Sequence, residues 1–369
     1  MSDKFDVLPL KKNLLANLKN LDFHSMTPIQ AESLPVILAR KDVIAQAKTG
    51  SGKTAAYGLG ILNALDISNK EVFSLVLCPT RELAEQVAKD LRSLGRTLNN
   101  LKILTLCGGI SESIQEKSLQ SGVHIAVGTP GRVLSLLEND ALNVEQVKIF
   151  TLDEADRMLE MGFNEDIMKI SSFLPKKRQS LLFSATYPET IRQLSAKIQK
   201  SAVEIKVDIT HAADNIDQRF YEVKPDQDKN HLLFKILGQF RPDRVIVFCR
   251  TKKESYDISQ FLHNRGIFAK CINGDLDQSE RTKVLIQFSN ESLSVLVATD
   301  VAARGLDIQE LTAVVNYSLP SGAEAYIHRI GRTGRAGHKG LAFSFYSPGE
   351  EHRLEEIEAY TRKKCKVED

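Results

Sequence analysis

The chain has 369 residues, of which 42% are hydrophobic and 26% charged, and its formal net charge is +2. A chain of this length exceeds the size at which one hydrophobic core usually stays single, so we expect two domains. A net charge near zero excludes a globally basic binder of polyanions, so any nucleic-acid site must be a local groove of arginine and lysine.

Nothing in the sequence indicates secretion or membrane insertion. It has no apolar run of about eighteen residues, and no signal-peptide pattern follows the start. The five cysteines form no Cys-x-x-Cys pair, which is typical of buried thiols in a reducing compartment. We therefore expect a cytoplasmic monomer without a membrane partner.

The first clear helix signal is Thr27-Pro28, because threonine caps helices and proline is favoured at their first position. We predict a helix from Pro28 to Leu38. Gln30 lies in its first turn and, from the pattern alone, is a solvated helix residue. Phe5 stands alone upstream of this helix, ahead of a short amphipathic stretch.

A phosphate-binding loop is predicted between the apolar run 43–45 and a helix-permissive run that begins at Ala55. Its residues are Lys48, Thr49, Gly50, Ser51, Gly52, Lys53 and Thr54. The glycines let backbone N–H groups surround an anion, and the following helix directs its positive end there. In such a loop Lys53 reaches the β- and γ-phosphates of ATP and Thr54 holds Mg²⁺. Ala47 stands where the strict motif has glycine, so the match is incomplete.

The tetrapeptide Asp-Glu-Ala-Asp at residues 153–156 follows the buried-strand pattern 149–152. P-loop enzymes hold Mg²⁺ with an acidic residue at the end of a strand. We therefore predict that Asp153 is a ligand of Mg²⁺. Glu154 is suitably placed to orient or deprotonate an attacking water. Alone, such a cluster is more often a helix cap than a catalytic site. Together with the upstream phosphate loop, it predicts ATP hydrolysis.

Predicted strands alternate with helical stretches through the first half of the chain, at 74–78, 103–106, 125–127, 149–152 and 181–183. This alternation indicates an α/β fold with a parallel sheet and helices on both faces. Ligands collect at the carboxyl ends of such strands. The residues just beyond these ends are Pro79, Thr80, Arg81, Gly108, Gly109, Thr129, Pro130, Gly131 and Arg132. Each group alone could be a capped helix start, but together they predict a track for a nucleic-acid backbone.

The polar segment 207–217 lacks helical or strand periodicity and is predicted to link domain 1 (1–206) to domain 2 (218–369). A second series of strands is predicted at 220–223, 245–249, 268–272, 295–298, 313–317 and 341–345. It contains no Gly-Lys-Thr loop, so it cannot hold a second nucleotide by that route. Three arginines alternate with glycines in the stretch 328–335, and glycine disfavours a solvated basic helix there.

The Asp-Glu-Ala-Asp tetrapeptide, the phosphate loop and the blocks around them resemble the DEAD-box RNA helicases. The resemblance covers both halves of the chain and implies two tandem RecA-like domains, each a mainly parallel sheet flanked by helices. It also implies ATP and Mg²⁺ as cofactors, RNA as partner, and RNA-stimulated ATP hydrolysis that opens short RNA duplexes. Phe-x-x-x-Thr-Pro-Ile-Gln is similar to the family's adenine-binding motif, so Gln30 reads adenine and Phe5 stacks on it. Asp22 and Met26 replace the glycine and proline that are usual there.

The resemblance also assigns further residues in both halves of the chain. It implies that Arg332 and Arg335 are arginine fingers that reach the γ-phosphate, and that Gly305 and Asp307 contact the nucleotide. It adds Arg250, Gly274 and Thr299 to the RNA track, and it implies that Asp156, Ser184, Thr186 and His328 couple hydrolysis to RNA binding. Asn273 departs from the family's common histidine.

Within the family the likeness is strongest to a bacterial group whose members usually carry a C-terminal domain that targets ribosomal RNA. This chain ends at Asp369 after one predicted helix, so we expect that domain to be absent and a role in ribosome assembly. One alternative is a P-loop ATPase that acts on proteins or small molecules, which would not need the backbone track. Another is an RNA-binding scaffold without useful hydrolysis, which would not need Glu154 or the two arginine fingers.

Overall fold

The computed structural model describes residues 3–47, 50–207, 215–224, 227–303, 311–334, 339–361 and 363–368. The chain divides into two compact units, Met1–Asp208 and Ile209–Asp369. Each unit contains one parallel sheet with helices packed against it. The predicted fold class, two tandem RecA-like domains, is therefore confirmed.

In unit 1 a short 3-10 turn (Phe5–Val7) precedes the helices and strands. The helices are α1 (Lys12–Asn20), α2 (Pro28–Leu38), α3 (Lys53–Ala64), α4 (Arg81–Leu94), α5 (Glu112–Gln120), α6 (Pro130–Glu138), α7 (Ala155–Glu160), α8 (Asn164–Phe173) and α9 (Glu189–Ile198). The strands are β1 (Val43–Gln46), β2 (Ser74–Leu77), β3 (Ile103–Leu106), β4 (Ile125–Gly128), β5 (Ile149–Leu152), β6 (Gln179–Ser184) and β7 (Val203–Lys206). Their order in the sheet is β3-β4-β2-β5-β6-β1-β7.

In unit 2 the helices are α10 (Lys229–Phe240), α11 (Lys252–His263), α12 (Gln278–Ser289), α13 (Asp300–Ala303), α14 (Ala323–Ile330) and α15 (Glu351–Thr361). The strands are β8 (Ile216–Glu222), β9 (Val245–Cys249), β10 (Ala269–Ile272), β11 (Val295–Thr299), β12 (Ala313–Asn316), β13 (Gly340–Tyr346) and β14 (Lys366–Glu368). Their order, β10-β11-β9-β12-β13-β8-β14, repeats that of unit 1 strand for strand. Among the described helices, none is both long enough and apolar enough to span a bilayer.

The strands are buried on both faces because helices cover each side of the sheet. Successive side chains of a strand point to opposite faces. In β1 this places Val43 and Ala45 in one core layer and Ile44 in the other. The continuous apolar runs that predicted these strands follow from this burial on both sides.

Polar residues account for most of the differences between predicted and observed elements. The strand predicted at 181–183 begins at Gln179, whose buried amide donates to the carbonyl oxygen of Ile37 at 3.0 Å. The edge strands β7 and β14 were not predicted, because their exposed and polar residues lack a buried-strand pattern. β8 begins at Ile216 and so includes the last two residues of the predicted linker. The rest of that linker, apart from 207 and 215, lies outside the described residues.

Candidate nucleotide and RNA sites

The phosphate loop follows β1, which lies inside the sheet between β6 and β7. Gly50 and Gly52 both have positive φ angles, 78° and 93°, which L-residues with a side chain rarely adopt. Lys53 begins α3, is 5% exposed, and donates from Nζ to the carbonyl oxygen of Ala47 at 2.8 Å. The loop lysine is therefore held by the residue that follows β1. Lys48 and Thr49 lie outside the described residues.

Gln30 connects the start of α2 to the phosphate loop. Its Oε1 accepts from the backbone N–H of Thr27 at 2.9 Å, and its Nε2 donates to the carbonyl oxygen of Gly52 at 3.1 Å. Gln30 is only 1% exposed, so the interpretation as a solvated helix residue is wrong. A Cβ at residue 52 would overlap Nε2 of Gln30, which adds a second reason for glycine there.

Phe5 lies in the core of unit 1, with its ring edge-on to Phe23 at a centroid distance of 6.2 Å. It is 5% exposed. In this structure both edges of the Gln30 amide are engaged by backbone groups and the Phe5 ring is packed against protein. The adenine contacts of these two residues stay a prediction.

Asp153 follows β5 and is held by two donors. The hydroxyl of Tyr57 donates to Oδ2 at 2.8 Å, and the backbone N–H of Glu154 donates to Oδ1 at 3.0 Å. Burial raises the pKa of the Asp153 carboxyl, and the positive charge of Lys53 opposes this rise. Tyr57 was not predicted as a site residue. Its only signal is its position three residues after Thr54, which places both on one side of α3.

Glu154 occupies the turn from β5 into α7 with a left-handed backbone, φ 52° and ψ 51°. For a residue with a side chain such a conformation costs about 1–3 kcal/mol, so the surroundings must hold it. Its carboxylate accepts from the guanidinium of Arg157 at 2.7 Å, and both side chains are largely buried. Arg157 was not predicted as a site residue either. Its spacing of three residues from Glu154 within a helix start was the available signal.

Asp156 connects this acidic turn to the end of β6. Its Oδ2 accepts from the backbone N–H groups of Ala185 and Thr186 at 3.1 and 2.9 Å, and from the Thr186 hydroxyl at 3.0 Å. Its own N–H donates to the Ser184 hydroxyl at 3.2 Å. The structure thus brings together three of the four residues predicted to couple ATP hydrolysis to RNA binding. Hydrogen bonds therefore join the acidic turn directly to the end of β6 and to the residues that follow it.

The predicted RNA track of unit 1 lies at the ends of three neighbouring strands, β3, β4 and β2. Pro79 is buried, and the Thr80 hydroxyl caps α4 by accepting from the Leu83 N–H at 3.3 Å. The Arg81 guanidinium lies against Gly108 and Gly109, so close that a Cβ at Gly108 would be 2.8 Å from it. Two predicted contact groups that are far apart in sequence therefore form one surface.

The third group of the track begins α6, with Thr129 as its N-cap, Pro130 at its first position and Gly131 next. Arg132 donates to the carbonyl oxygen of Ile110 at 3.1 Å and to the Gln115 side chain at 2.9 Å. Arg132 thus fixes the segment after the glycine pair.

The predicted RNA contacts of unit 2 lie at the ends of β10, β11 and β9. These strands have the same places in the order of their sheet as β3, β4 and β2 have in unit 1. Gly274 is exposed after β10, and Arg250 is exposed after β9, 3.5 Å from a Glu350 carboxylate oxygen. Thr299 is the last residue of β11, and its hydroxyl accepts from the Ala302 N–H at 3.4 Å. Asn273, the departure from the family's histidine, is buried and donates to the Ser255 hydroxyl at 3.1 Å.

The arginine-rich stretch begins as a helix, because α14 continues through Arg329 and ends before Gly331. Arg329 is 4% exposed, and two of its guanidinium nitrogens each donate to Asp300 at 2.7 Å. The helix thus covers only the first part of the stretch, and its arginine is buried, so this part is not the solvated basic helix that the glycines disfavour. Arg332 is buried and His328 half-buried. Arg335, Gly305 and Asp307 lie outside the described residues.

Comparisons with known proteins agree with this geometry. The DEAD/DEAH box helicase family matches residues 27–194, and the helicase conserved C-terminal domain matches residues 228–337. The ATP-dependent RNA helicase DbpA of Escherichia coli is 50% identical over 92% of this chain and 74% of its own length. The helicase CshA of Bacillus cereus is 43% identical over 98% of this chain and 68% of its own length.

Two solved structures have the same fold. Saccharomyces cerevisiae Dbp5 bound to RNA and ADP BeF3 is 32% identical, with a TM-score of 0.90 over 100% of this chain and 96% of that one. Mss116p bound to ssRNA and AMP-PNP is 27% identical, with a TM-score of 0.87 over 100% and 80%.

The two RecA-like sheets, the phosphate loop and the acidic turn define an ATP-dependent helicase. The chain belongs to the DEAD-box ATP-dependent RNA helicases. It is an RNA-dependent ATPase, which excludes the alternatives of an ATPase acting on proteins and of a scaffold without hydrolysis.

Proposed function

We propose that this helicase opens short RNA duplexes locally and that ribosomal RNA, during ribosome assembly, is its cellular target. The observation that carries the first part is the surface formed by Arg81, Gly108, Gly109 and the starts of α4 and α6. It offers hydroxyl, backbone N–H and guanidinium groups, which suit phosphate and ribose oxygens but carry no base identity. The ribosomal target rests on the resemblance to the bacterial DbpA-type helicases. We also propose that the protein is a cytoplasmic monomer, with its domains divided at the segment that precedes β8.

Unit 1 is the proposed ATP-binding unit. Lys53 lies over the phosphate loop and would exchange its bond with the Ala47 carbonyl for phosphate oxygens. A helix N-terminus with two glycine residues at positive φ favours an anion at that point. Gln30 and Phe5 would complete the site by contacting adenine, with Lys48, Thr49, Gly305 and Asp307 as further proposed nucleotide contacts.

The donor set fits Mg²⁺ held mainly by nucleotide and water. In the part of the chain that the structure describes, no cluster of three or more His, Cys, Asp or Glu side chains could hold a metal alone. Mg²⁺ typically binds to one or two protein oxygen ligands together with substrate phosphates and waters. The buried Asp153 carboxylate and the Thr54 hydroxyl supply such oxygens. When bound, the ion would neutralise charge that develops on the phosphate oxygens.

Glu154 is the proposed general base, and Arg157 holds its carboxylate in a defined position. We propose that Arg332 and Arg335 supply positive charge to the γ-phosphate during hydrolysis, a contribution of about 10³–10⁵ in rate for arginine fingers. Asp156, Ser184, Thr186 and His328 are the proposed coupling residues. If RNA and ATP favour the same state, each must raise the affinity for the other by the same factor.

The test measures ATPase rate against concentration for poly-A, poly-U, a ribosomal RNA fragment and single-stranded DNA at one fixed salt concentration. We expect the three RNAs to stimulate turnover to similar extents at saturation and DNA to stimulate it much less. Equal stimulation by DNA would refute the 2′-hydroxyl argument, and a strong preference for the ribosomal fragment would show that this chain itself reads a sequence. Strand separation should be rapid for duplexes of one helical turn and slow for duplexes of three turns.

A further inference from the structure

The two proposed magnesium ligands share a neighbour that belongs to neither sequence motif. Tyr57 lies on α3, one turn after Thr54, and is fully buried. Its hydroxyl donates to Oδ2 of Asp153 at 2.8 Å. Tyr57 thus connects the helix that carries the P-loop threonine to the acidic residue after β5.

The environment of Asp153 makes this contact consequential. The carboxylate is 3% exposed, so water gives it little stabilisation and its charged form depends on protein donors. Tyr57 and the Glu154 N–H occupy one position on each oxygen. An ionised carboxylate has about four acceptor positions, more than these two donors occupy.

The hydroxyl can be separated from the packing of the ring. The Tyr57 ring lies 5.2 Å from the Phe183 ring in a tilted arrangement, within the apolar core of unit 1. A phenylalanine would keep this contact and fill the same volume. If the core alone required an aromatic residue, the hydroxyl would only add a buried polar group that must find a partner.

We propose that Tyr57 is a positioning residue of the magnesium site, whose hydroxyl holds the Asp153 carboxylate against the helix that carries Thr54, in the arrangement that receives Mg²⁺. This inference rests on the proposed Mg²⁺ role of those two residues. Tyr57 does not touch the reacting atoms. It acts by orienting Asp153, by stabilising its negative charge and by keeping the carboxylate next to the phosphate-loop helix.

The experiment measures the affinity of a fluorescent ADP analogue in Mg²⁺ and in EDTA, so that the ratio reports the gain due to the metal without requiring turnover. The variants are Tyr57→Phe, Asp153→Asn, their combination, and Tyr317→Phe as a matched control. Tyr317 is a buried tyrosine of unit 2 whose hydroxyl donates to the Asn230 side chain at 3.2 Å. We expect Tyr57→Phe to bind the ADP analogue in EDTA as tightly as the wild type does. The ratio of its affinity in Mg²⁺ to that in EDTA, the metal gain, should be about tenfold lower, as expected for one hydrogen bond to a charged group.

Tyr317→Phe should match the wild type, and Tyr57→Phe should have no further effect on the metal gain when Asp153 is already asparagine. A full metal gain in Tyr57→Phe would overturn the inference and leave the magnesium site intact. An equal loss in Mg²⁺ and EDTA would also overturn it, because it would show a general packing defect. If the wild type itself shows no metal gain, the magnesium assignment fails and the role of Tyr57 fails with it.

Discussion

Thr186 allows the coupling between the acidic turn and the end of β6 to be tested with one hydroxyl group. Asp156 is 8% exposed, and its Oδ2 accepts from two backbone N–H groups and from the Thr186 hydroxyl. Thr186→Val removes the hydroxyl donor, keeps a β-branched side chain and leaves both backbone bonds in place. Asp156 therefore keeps partners, so the change tests the hydroxyl rather than the cost of a buried unpaired charge.

A hydrogen bond to a charged group contributes about 1.5–3 kcal/mol, and the half-buried position of Thr186 favours the lower end. We expect a loss of about 1.5 kcal/mol in the free energy of unfolding of unit 1. For a unit of roughly 200 residues this corresponds to a decrease in Tm of about 3–6 °C. Urea denaturation monitored by circular dichroism would measure the loss.

The functional readout compares three quantities in the same preparation: nucleotide affinity, RNA-stimulated ATP turnover and strand separation. If the Thr186 hydroxyl couples the two activities, strand separation should fall more than turnover, and nucleotide affinity should stay within about twofold of the wild type. Thr54 belongs to the proposed nucleotide site, so Thr54→Val should provide the contrasting pattern, a loss of Mg²⁺-dependent nucleotide binding. Thr186→Val with wild-type strand separation per ATP hydrolysed would refute the coupling argument.

Three further substitutions follow from the geometry. Glu154→Gln keeps the hydrogen bond from Arg157 but cannot accept a proton, so hydrolysis should fall at least about a hundredfold while ATP affinity, measured by calorimetry, is kept. Gly52→Ala places a Cβ on the Gln30 amide at a backbone angle of 93°, so nucleotide binding should be largely lost; wild-type affinity would mean that the loop tolerates the rearrangement. Arg329→Ala leaves Asp300 and Asn316 without this donor; because Asp300 is 41% exposed, we expect unit 2 to lose about 1.5–3 kcal/mol in chemical denaturation, whereas a loss below about 1 kcal/mol would show that the cluster is solvated.

The sequence predicted interactions between residues that are close in the chain, but not those between residues that are distant in it. Thr27, Pro28 and Leu38 predicted the bounds of α2 because capping depends on neighbours in the chain. The position of Lys53 at the start of α3 followed for the same reason. Tyr57, Arg157 and Arg329 were not predicted as site residues, because their partners are decided by packing.

The sequence by itself determined the class of fold and the chemical groups at the strand ends. Continuous apolar runs alternate with helical segments, and a strand buried on both faces must be apolar along its length. The same runs determined which polar residues lie at the ligand-binding edge, including Asp153, Thr80 and Thr129.

The tertiary structure alone decided which of these groups meet. Sheet order places β3, β4 and β2 side by side, so Arg81 lies on Gly108 although the chain separates them. It also brings the Tyr57 hydroxyl to Asp153 and the Thr186 hydroxyl to Asp156, contacts that span 96 and 30 residues of sequence. Local propensity carries no information on such pairs, because each partner is buried by elements that are distant in the chain. The place of β5 in the sheet, beside β6, brings Asp153 to α3, and this contact makes the Tyr57 hydroxyl a candidate part of the metal site.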